Sequence, residues 1–283
     1  MRNDVIDRGL SPDDIAHYRD KGFVIPSFRF TGAALDRLRD LTGAVVSANP
    51  LMLNRPIPNP ACPSFEKYGM QTDRGLMEFC AHSRIVDMVE PLIGPDIVLW
   101  SNTIFSKPAT AGKRTPWHRD GEFWPLDPLA TVTLWIAVTE SNRSNGCLRL
   151  IPASHLSETI GRHHDVTTDD VIFAREIENG EFDASSAFDV ELEPGQMVFF
   201  DVRMIHGAAP NGGKLRTAFT ARYMPATTRF DHGDARASTI NEDGYSLDTR
   251  PLFLLRGTDR AGNDFTRNFD HRDHDAVKRW LEA

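Results

Sequence analysis

Thr115-Pro116-Trp117-His118-Arg119-Asp120-Gly121, taken with Asp201-Val202-Arg203-Met204-Ile205-His206-Gly207, sets the fold and the chemistry of this chain. His118 and Asp120 stand two apart, so on an extended strand both side chains leave the same face. One imidazole and one carboxylate can then meet a single metal ion, and His206 supplies a second imidazole. Two His and one carboxylate make a facial triad that leaves coordination positions open, an arrangement suited to non-haem Fe(II) and dioxygen. Arg216, ten residues past His206, opens Arg-Thr-Ala-Phe-Thr-Ala-Arg-Tyr-Met, which alternates like a strand. An Arg placed there can hold a carboxylate cosubstrate by two parallel hydrogen bonds.

The His-x-Asp spacing is not selective alone. Ten His and 27 Asp in 283 residues give about one such pair by chance, and the chain has four, at 118/120, 163/165, 232/234 and 271/273. Context separates them. The first pair is flanked by strand-like runs, Ile97 to Lys107 and Thr131 to Val138. It also has a downstream His that closes an apolar run and precedes an Arg-bearing strand. The other three read as polar loop residues.

A length of 283 residues with 40% hydrophobic and 9% aromatic residues is ample for one sizeable core. The net charge of −8 reads against a nucleic-acid or anionic-membrane partner. Cys62, Cys80 and Cys147 are odd in number and lack a CxxC spacing, which fits reduced thiols in a cytoplasmic protein. No basic-then-apolar leader and no run of 18 apolar residues is present, so the expectation is a chain that neither is exported nor spans a membrane. Oligomeric state leaves no trace in the sequence.

The N-terminal third, about 10–93, reads as helical. Ser11 as N-cap, Pro12 in the first turn and Gly22 as stop frame one helix, followed by a short strand at Phe23-Val-Ile-Pro. A second helix is predicted from Thr31 to Ser47, with Leu35, Leu38, Leu41 and Val45 as its apolar stripe. Prolines at 50, 56, 58, 60 and 63 predict a loop or lid over 50–66. A third helix is predicted from Met77 to Glu90, stopped by Pro91.

From Ile97 the pattern changes to short alternating runs at 97–107, 115–120, 130–139, 147–152, 188–193, 196–200, 204–207 and 215–224. Eight short strands behind a helical third predict a mainly β fold with flanking helices (α+β), a double-sheet jelly roll of the cupin kind. Its core is expected over about 97–226, with a polar insertion at 155–185 over the mouth. A C-terminal extension, 227–283, is expected to be irregular to about Asp270, with a helix from Asp275 to Leu281. The whole reads as one domain, 1–283.

Three runs then carry a family resemblance: Lys107-Pro…Trp117-His-Arg-Asp, Asn145-Gly-Cys-Leu-Arg-Leu-Ile-Pro-Ala-Ser-His155, and Phe199-Phe-Asp…His206-Gly…Arg216. In order and spacing, over about residues 10–226, they resemble the phytanoyl-CoA dioxygenase family of Fe(II)- and 2-oxoglutarate-dependent oxygenases. The resemblance implies the double-stranded β-helix, and use of Fe(II), 2-oxoglutarate and O2 with release of succinate and CO2. It marks His118, Asp120 and His206 as metal ligands and candidate catalytic residues, and Arg216 as the grip on the 2-oxoglutarate C5 carboxylate. Trp135, Thr103 and Lys67 fall where the family lines the cosubstrate pocket.

Departures from the family pattern carry expectations of their own. Arg119 stands where members often have Gln, and on a strand it points away from the metal. Ala208 replaces a hydroxyl residue, leaving Thr217 or Thr220 to support Arg216. Related halogenases have a small residue at the position of Asp120, so a carboxylate there implies hydroxylation or a related oxidation. The substrate is expected to be a small polar metabolite, bordered by Glu122, Phe123 and Trp124; Arg175, Arg250, Arg256, His163 and His164 are candidate anion contacts, though each reads first as solvated charge. Two competing readings are a jelly-roll protein that binds a ligand without turnover, or holds another metal, and a zinc hydrolase. The complete triad argues against the first, and Arg216 has no part in the second.

Overall fold

The computed structural model describes residues 9–157, 161–178, 180–238 and 245–266. Helix α1 (Pro12–Lys21) starts as its sequence dictates. Ser11 Oγ accepts the Asp14 N–H, Asp14 accepts the Ser11 N–H, and Gly22 closes the helix in the left-handed region. Strand β1 (Phe23–Val24) follows, then α2 (Gly32–Ala48), whose Leu38, Leu41 and Val45 are buried.

Two of the helical-third expectations need correction. The proline-rich 50–66 stretch is not merely a loop, because β2 (Pro56–Pro58) pairs with a long strand and 3-10 turns flank it. Proline lacks a donor, so an outer strand is where a sheet tolerates it. The helix expected over 77–90 is two, α3 (Met77–Cys80) and α4 (Ser83–Ile93). His82 divides them, its ring accepting the Arg84 N–H at 3.3 Å. Pro91 does not stop α4: it lies in the last turn, and Gly94 closes the helix by donating to the Glu90 carbonyl.

The remaining strands in order are β3 (Ile97–Lys107), β4 (Thr115–His118), β5 (Leu126–Asp127), β6 (Val132–Ala137) and β7 (Leu148–Leu150). Then come β8 (His163–Asp165), β9 (Arg175–Ile177), β10 (Phe188–Val190), β11 (Met197–Asp201) and β12 (His206–Ala208). Last are β13 (Arg216–Pro225), β14 (Arg229–Phe230), α5 (Ala235–Ser238) and β15 (Phe253–Arg256). A large antiparallel sheet runs β1-β11-β6-β13-β3-β15, with β2 also on β3, and a smaller one runs β10-β7-β12-β4. All eight expected strands are present in this mainly β jelly roll with flanking helices.

Alternation along the large sheet sorts its two faces. Leu134 and Ile136 of β6, Met197 and Phe199 of β11, and Phe219, Ala221 and Tyr223 of β13 join the helices in one core. Each large apolar side chain there contributes about 1.5–3 kcal/mol by burial. Thr133 and Trp135, Phe200, and Arg216, Thr220 and Arg222 face the other way, into a cavity of about 630 Å³ between the sheets. Glu193-Pro194-Gly195 turns the chain into β11. Gly195 has φ +84°, and a Cβ there would sit 2.0 Å from the Phe30 carbonyl oxygen.

The 155–185 segment carries the β8–β9 hairpin and is pinned to the residue before β4. Arg114 exchanges backbone hydrogen bonds with Asp170 and Ile172, and its side chain pairs with Glu176 at 2.7 Å. The described part of the extension after residue 226 is not irregular throughout, since β15 adds to β3 at the edge of the large sheet. The helix expected from Asp275 to Leu281 lies outside the described residues. Cys62, Cys80 and Cys147 are buried thiols that form no disulfide among the described residues. Among the described residues no helix is long and apolar enough to cross a membrane.

Candidate active site

His118 and His206 are register partners on neighbouring strands β4 and β12, so the sheet itself brings the two imidazoles together. Their ring centroids lie 4.1 Å apart. Strand β4 stops at His118 rather than reaching 120, because its partner β12 begins at His206. Arg119 keeps extended dihedrals, and Asp120 opens a 3-10 turn that returns its carboxylate to the rings. Asp120 Oδ1 is 3.5 Å from His118 Nε2 and 3.9 Å from His206 Nε2. One ligand atom from each of the three lies within 4.8 Å of the others, the one such His/Cys/Asp/Glu group among the described residues.

The rings are also oriented for a metal. His118 Nδ1 donates to the Pro116 carbonyl at 2.8 Å and His206 Nδ1 to the Met204 carbonyl at 3.0 Å. These bonds select the tautomer that leaves both Nε2 lone pairs facing Asp120. Burial, and then the adjacent His118 ring, pull the His206 pKa down to about 4, so it is neutral and free to ligate at pH 7. Burial opposes ionisation of Asp120, but Arg222, His206 and His118 together hold its carboxyl well below the usual carboxylate range. Asp120 Oδ2 is buried without a hydrogen-bond partner. Two neutral imidazoles and one buried carboxylate are the donor set a divalent first-row metal such as Fe(II) takes.

Arg216 opens β13 on the cavity face, 3% exposed, with Nη2 donating to the Gly146 carbonyl at 2.8 Å and the guanidinium 5.5 Å from the Trp135 ring. Its Nε is buried without a partner. Burial lowers its pKa to about 10, which leaves it charged at neutral pH. A buried cation with an unfilled donor, in the cavity that holds the triad, fits a carboxylate of the 2-oxoglutarate type.

The phytanoyl-CoA dioxygenase family model matches residues 5–218. The chain belongs to this family. Its relatives include a probable phytanoyl-CoA dioxygenase of Caenorhabditis elegans, 29% identical over 62% of this chain and 57% of the relative. The chain spans about half the length of the curated relatives it matches. Among solved structures, the non-heme monooxygenase ThoJ in its apo form aligns with TM-score 0.67 and 22% identity over 95% of each chain. CytC3 with Fe(II) and alpha-ketoglutarate aligns with TM-score 0.61 and 22% identity, over 90% of this chain and 92% of that one.

The other residues that the family resemblance marked are placed unequally. Trp135 and Thr103 line the cavity. Lys67 does not: it is exposed on a 3-10 turn whose buried side chain is Phe65, and its amine lies 4.8 Å from the Tyr68 ring. Arg119 sends its guanidinium to the Ser154 carbonyl at 2.9 Å. Thr217 faces away, its hydroxyl 3.2 Å from that of Ser106, while Thr220 lines the cavity beside Ala208. Of the other His-x-Asp pairs, 163/165 lies on β8. His232 bonds the Arg250 carbonyl and Asp234 pairs with Arg236, and 271/273 lies outside the described residues.

Sequence reasoning passed over Lys107, which is register partner to Arg216 and lines the cavity. Its amine donates to the Ala209 carbonyl at 2.8 Å, and burial, then the Arg216 charge, pull its pKa down to about 6. The signal was present: on β3 the positions 101, 103, 105 and 107 share one face. Arg222 and Phe173 also line the cavity, and neither stands out in the sequence. Phe173 lies on the 155–185 segment and meets the His118 ring edge to face at 4.6 Å.

Proposed function

We propose that this chain is an Fe(II)- and 2-oxoglutarate-dependent dioxygenase that hydroxylates, or otherwise oxidises, a small organic molecule and forms succinate and CO2. The observation that carries the reading is the convergence of His118, Asp120 and His206, with both imidazoles tethered through Nδ1 so that Nε2 faces inward. These three side chains would hold the metal, with Arg216 and Lys107 receiving the distal carboxylate of 2-oxoglutarate. When bound, metal and cosubstrate supply the activation of O2; the overall balance is substrate C–H plus 2-oxoglutarate plus O2 giving substrate C–OH, succinate and CO2.

The protein's own part is placement and exclusion of water. Trp135, Phe173, Phe200 and Trp124 wall the cavity and lower its dielectric, which strengthens the charge-assisted contacts inside. Asp120 fills the ligand position that a halide would need, so the expected product is oxygenated or desaturated. Reduced, buried thiols fit a reducing compartment such as the cytoplasm.

The test is 2-oxoglutarate-dependent succinate formation by the Fe(II)-loaded protein, followed by mass spectrometry of product formed in bromide buffer. Absence of succinate with every candidate substrate, and without substrate, would sink the dioxygenase reading. A bromine isotope pattern would sink the role given to Asp120.

A further inference from the structure

Two buried guanidinium groups that line the cavity, those of Arg222 and Arg250, are neither metal ligands nor part of the cosubstrate grip. Arg222 is 9% exposed and Arg250 is 3% exposed, and both line the cavity. They meet around Ser101. Arg222 is the register partner of Ser101 across β3 and β13, and Arg250 donates to the Ser101 hydroxyl. Arg222 lies 5.0 Å from the Trp124 ring and Arg250 lies 5.4 Å from the Trp100 ring. Those two indoles touch edge to face, with centroids 4.7 Å apart. Nε of each guanidinium is buried without a hydrogen-bond partner.

Charge makes this arrangement informative. Arg222 Nη2 lies 3.7 Å from Asp120 Oδ2, but that carboxylate is also the proposed metal ligand. Arg250 bonds neutral groups, Ser101, Asn59 and the Tyr245 side chain, and no carboxylate of the described residues pairs with it. A divalent metal, the Asp120 carboxylate, a 2-oxoglutarate dianion and the Arg216 cation cancel one another. Arg222 and Arg250 are then left in positive excess, to which Lys107 adds when protonated, in a wall of aromatic rings where unpaired charge is costly. Burial lowers the Arg250 pKa, the adjacent Tyr245 opposes that shift, and the charge of Arg222 beside it adds to it. Among the other arginines that line the cavity, Arg175 pairs with Asp165 at 3.0 Å and Arg236 with Asp234 at 2.7 Å.

We propose that the substrate is a small organic anion, a carboxylate or a phosphonate or phosphate, whose charged group sits between Arg222 and Arg250 against the Trp100–Trp124 pair. As a statement about substrate it rests on the dioxygenase reading above. Arg216 and Arg222 share one face of β13, six residues or roughly 20 Å of strand apart. The cosubstrate grip and the substrate grip thus lie toward opposite ends of one strand. Because Arg222 also reaches Asp120, the carbon oxidised lies close to the anionic group and not at the far end of a long chain.

The experiment uses the full chain loaded with Mn(II) and 2-oxoglutarate, titrated calorimetrically with benzoate, phenylphosphonate and the neutral benzyl alcohol. At least one anion should bind about tenfold or more tighter than benzyl alcohol, and the preferred one identifies the anionic class. Arg250→Gln should weaken that anion by about tenfold while changing 2-oxoglutarate affinity less than about twofold, and Arg250→Lys should recover part of the loss. Equal binding of the anions and benzyl alcohol overturns the proposal. So does an Arg250→Gln variant that loses 2-oxoglutarate as strongly as it loses the anion, because the pair then serves the cosubstrate. If Arg250→Gln fails to fold, the wild-type anion-to-neutral ratio decides. Failure of 2-oxoglutarate to bind the Mn(II) protein would instead remove the dioxygenase reading, and anion titration without 2-oxoglutarate would still report on the arginine pair.

Discussion

On one face of β13, Phe219, Ala221 and Tyr223 pack without solvent against α4 and the neighbouring strands. On the other, Arg216, Thr220 and Arg222 face the cavity. The same ten-residue strand therefore carries stability on one side and uncompensated polarity on the other. The helix-facing side gains free energy by burying apolar surface. The cavity side holds buried cations and orphaned donors, which cost free energy until a ligand arrives. Groups that are expensive in the empty protein and convergent in space are the ones to assign to binding, and the two faces should respond oppositely to truncation.

The largest effect should come from the metal ligands, on the cavity side of the smaller sheet. His206→Ala should abolish detectable turnover and weaken Mn(II) or Fe(II) binding by at least about a hundredfold, more than loss of an outer-shell partner costs. The metal-free variant should melt within a few degrees of the metal-free wild type. A collapse in Tm without metal would mean that His206 serves the core, and the contrast between the faces would fail there.

Phe219→Ala on the helix-facing side should do the reverse. It empties a fully buried site and should cost about 3–5 kcal/mol in denaturant unfolding. The population still folded at low temperature should bind metal with unchanged affinity. Arg216→Ala comes next: 2-oxoglutarate affinity should fall ten- to a hundredfold, about 1.5–3 kcal/mol for a charge-assisted bidentate contact. Its metal-free Tm should hold or rise, since a buried cation is removed. Unchanged 2-oxoglutarate affinity would move the grip to another cation, with Lys107 the first to try.

Why some of this was legible in the sequence follows from what each signal depends on. The triad and Arg216 could be read because strand alternation and the order of motifs are local properties, and because His118 and Asp120 need only one extended residue between them. The capping of α1 was legible for the same reason, as Ser11, Pro12 and Gly22 act within their own turn. The pairing of β2 and β15 with β3 was not, since short polar runs become strands when a long edge elsewhere in the chain offers hydrogen bonds. Arg222 and Arg250 are the sharper case. In sequence Arg250 is one of several candidate anion contacts and Arg222 is part of a strand pattern, and only the fold brings residues 28 positions apart to the same serine. Lys67 failed in the opposite sense, because a lysine near a motif has no tether that forces it inward.

Lys107 gives the smallest effect and the finest test of the cavity face. In the ligand-free protein its pKa is about 6, against the ordinary lysine value near 10.5, so it is mostly neutral at pH 7.5. Because the folded pKa is depressed, the unfolded chain binds the extra proton throughout that window. Lys107 therefore makes the ligand-free protein progressively less stable as pH falls from about 10.5 to about 6, and Lys107→Met should remove that slope. A dianion arriving beside Lys107 and Arg216 favours the protonated amine and raises its pKa. The sign of the linkage then follows: 2-oxoglutarate binding takes up a proton, and affinity should rise, by about tenfold or less, as pH falls from about 8.5 to about 6.5. Calorimetry in buffers of different ionisation heat reads the proton directly. Wild type should show an uptake of about half a proton near pH 7.5, and Lys107→Met should show none and a flat pH profile. Equal profiles in the two proteins would leave Lys107 as a buried amine held by the Ala209 carbonyl, and would assign the whole cosubstrate grip to Arg216.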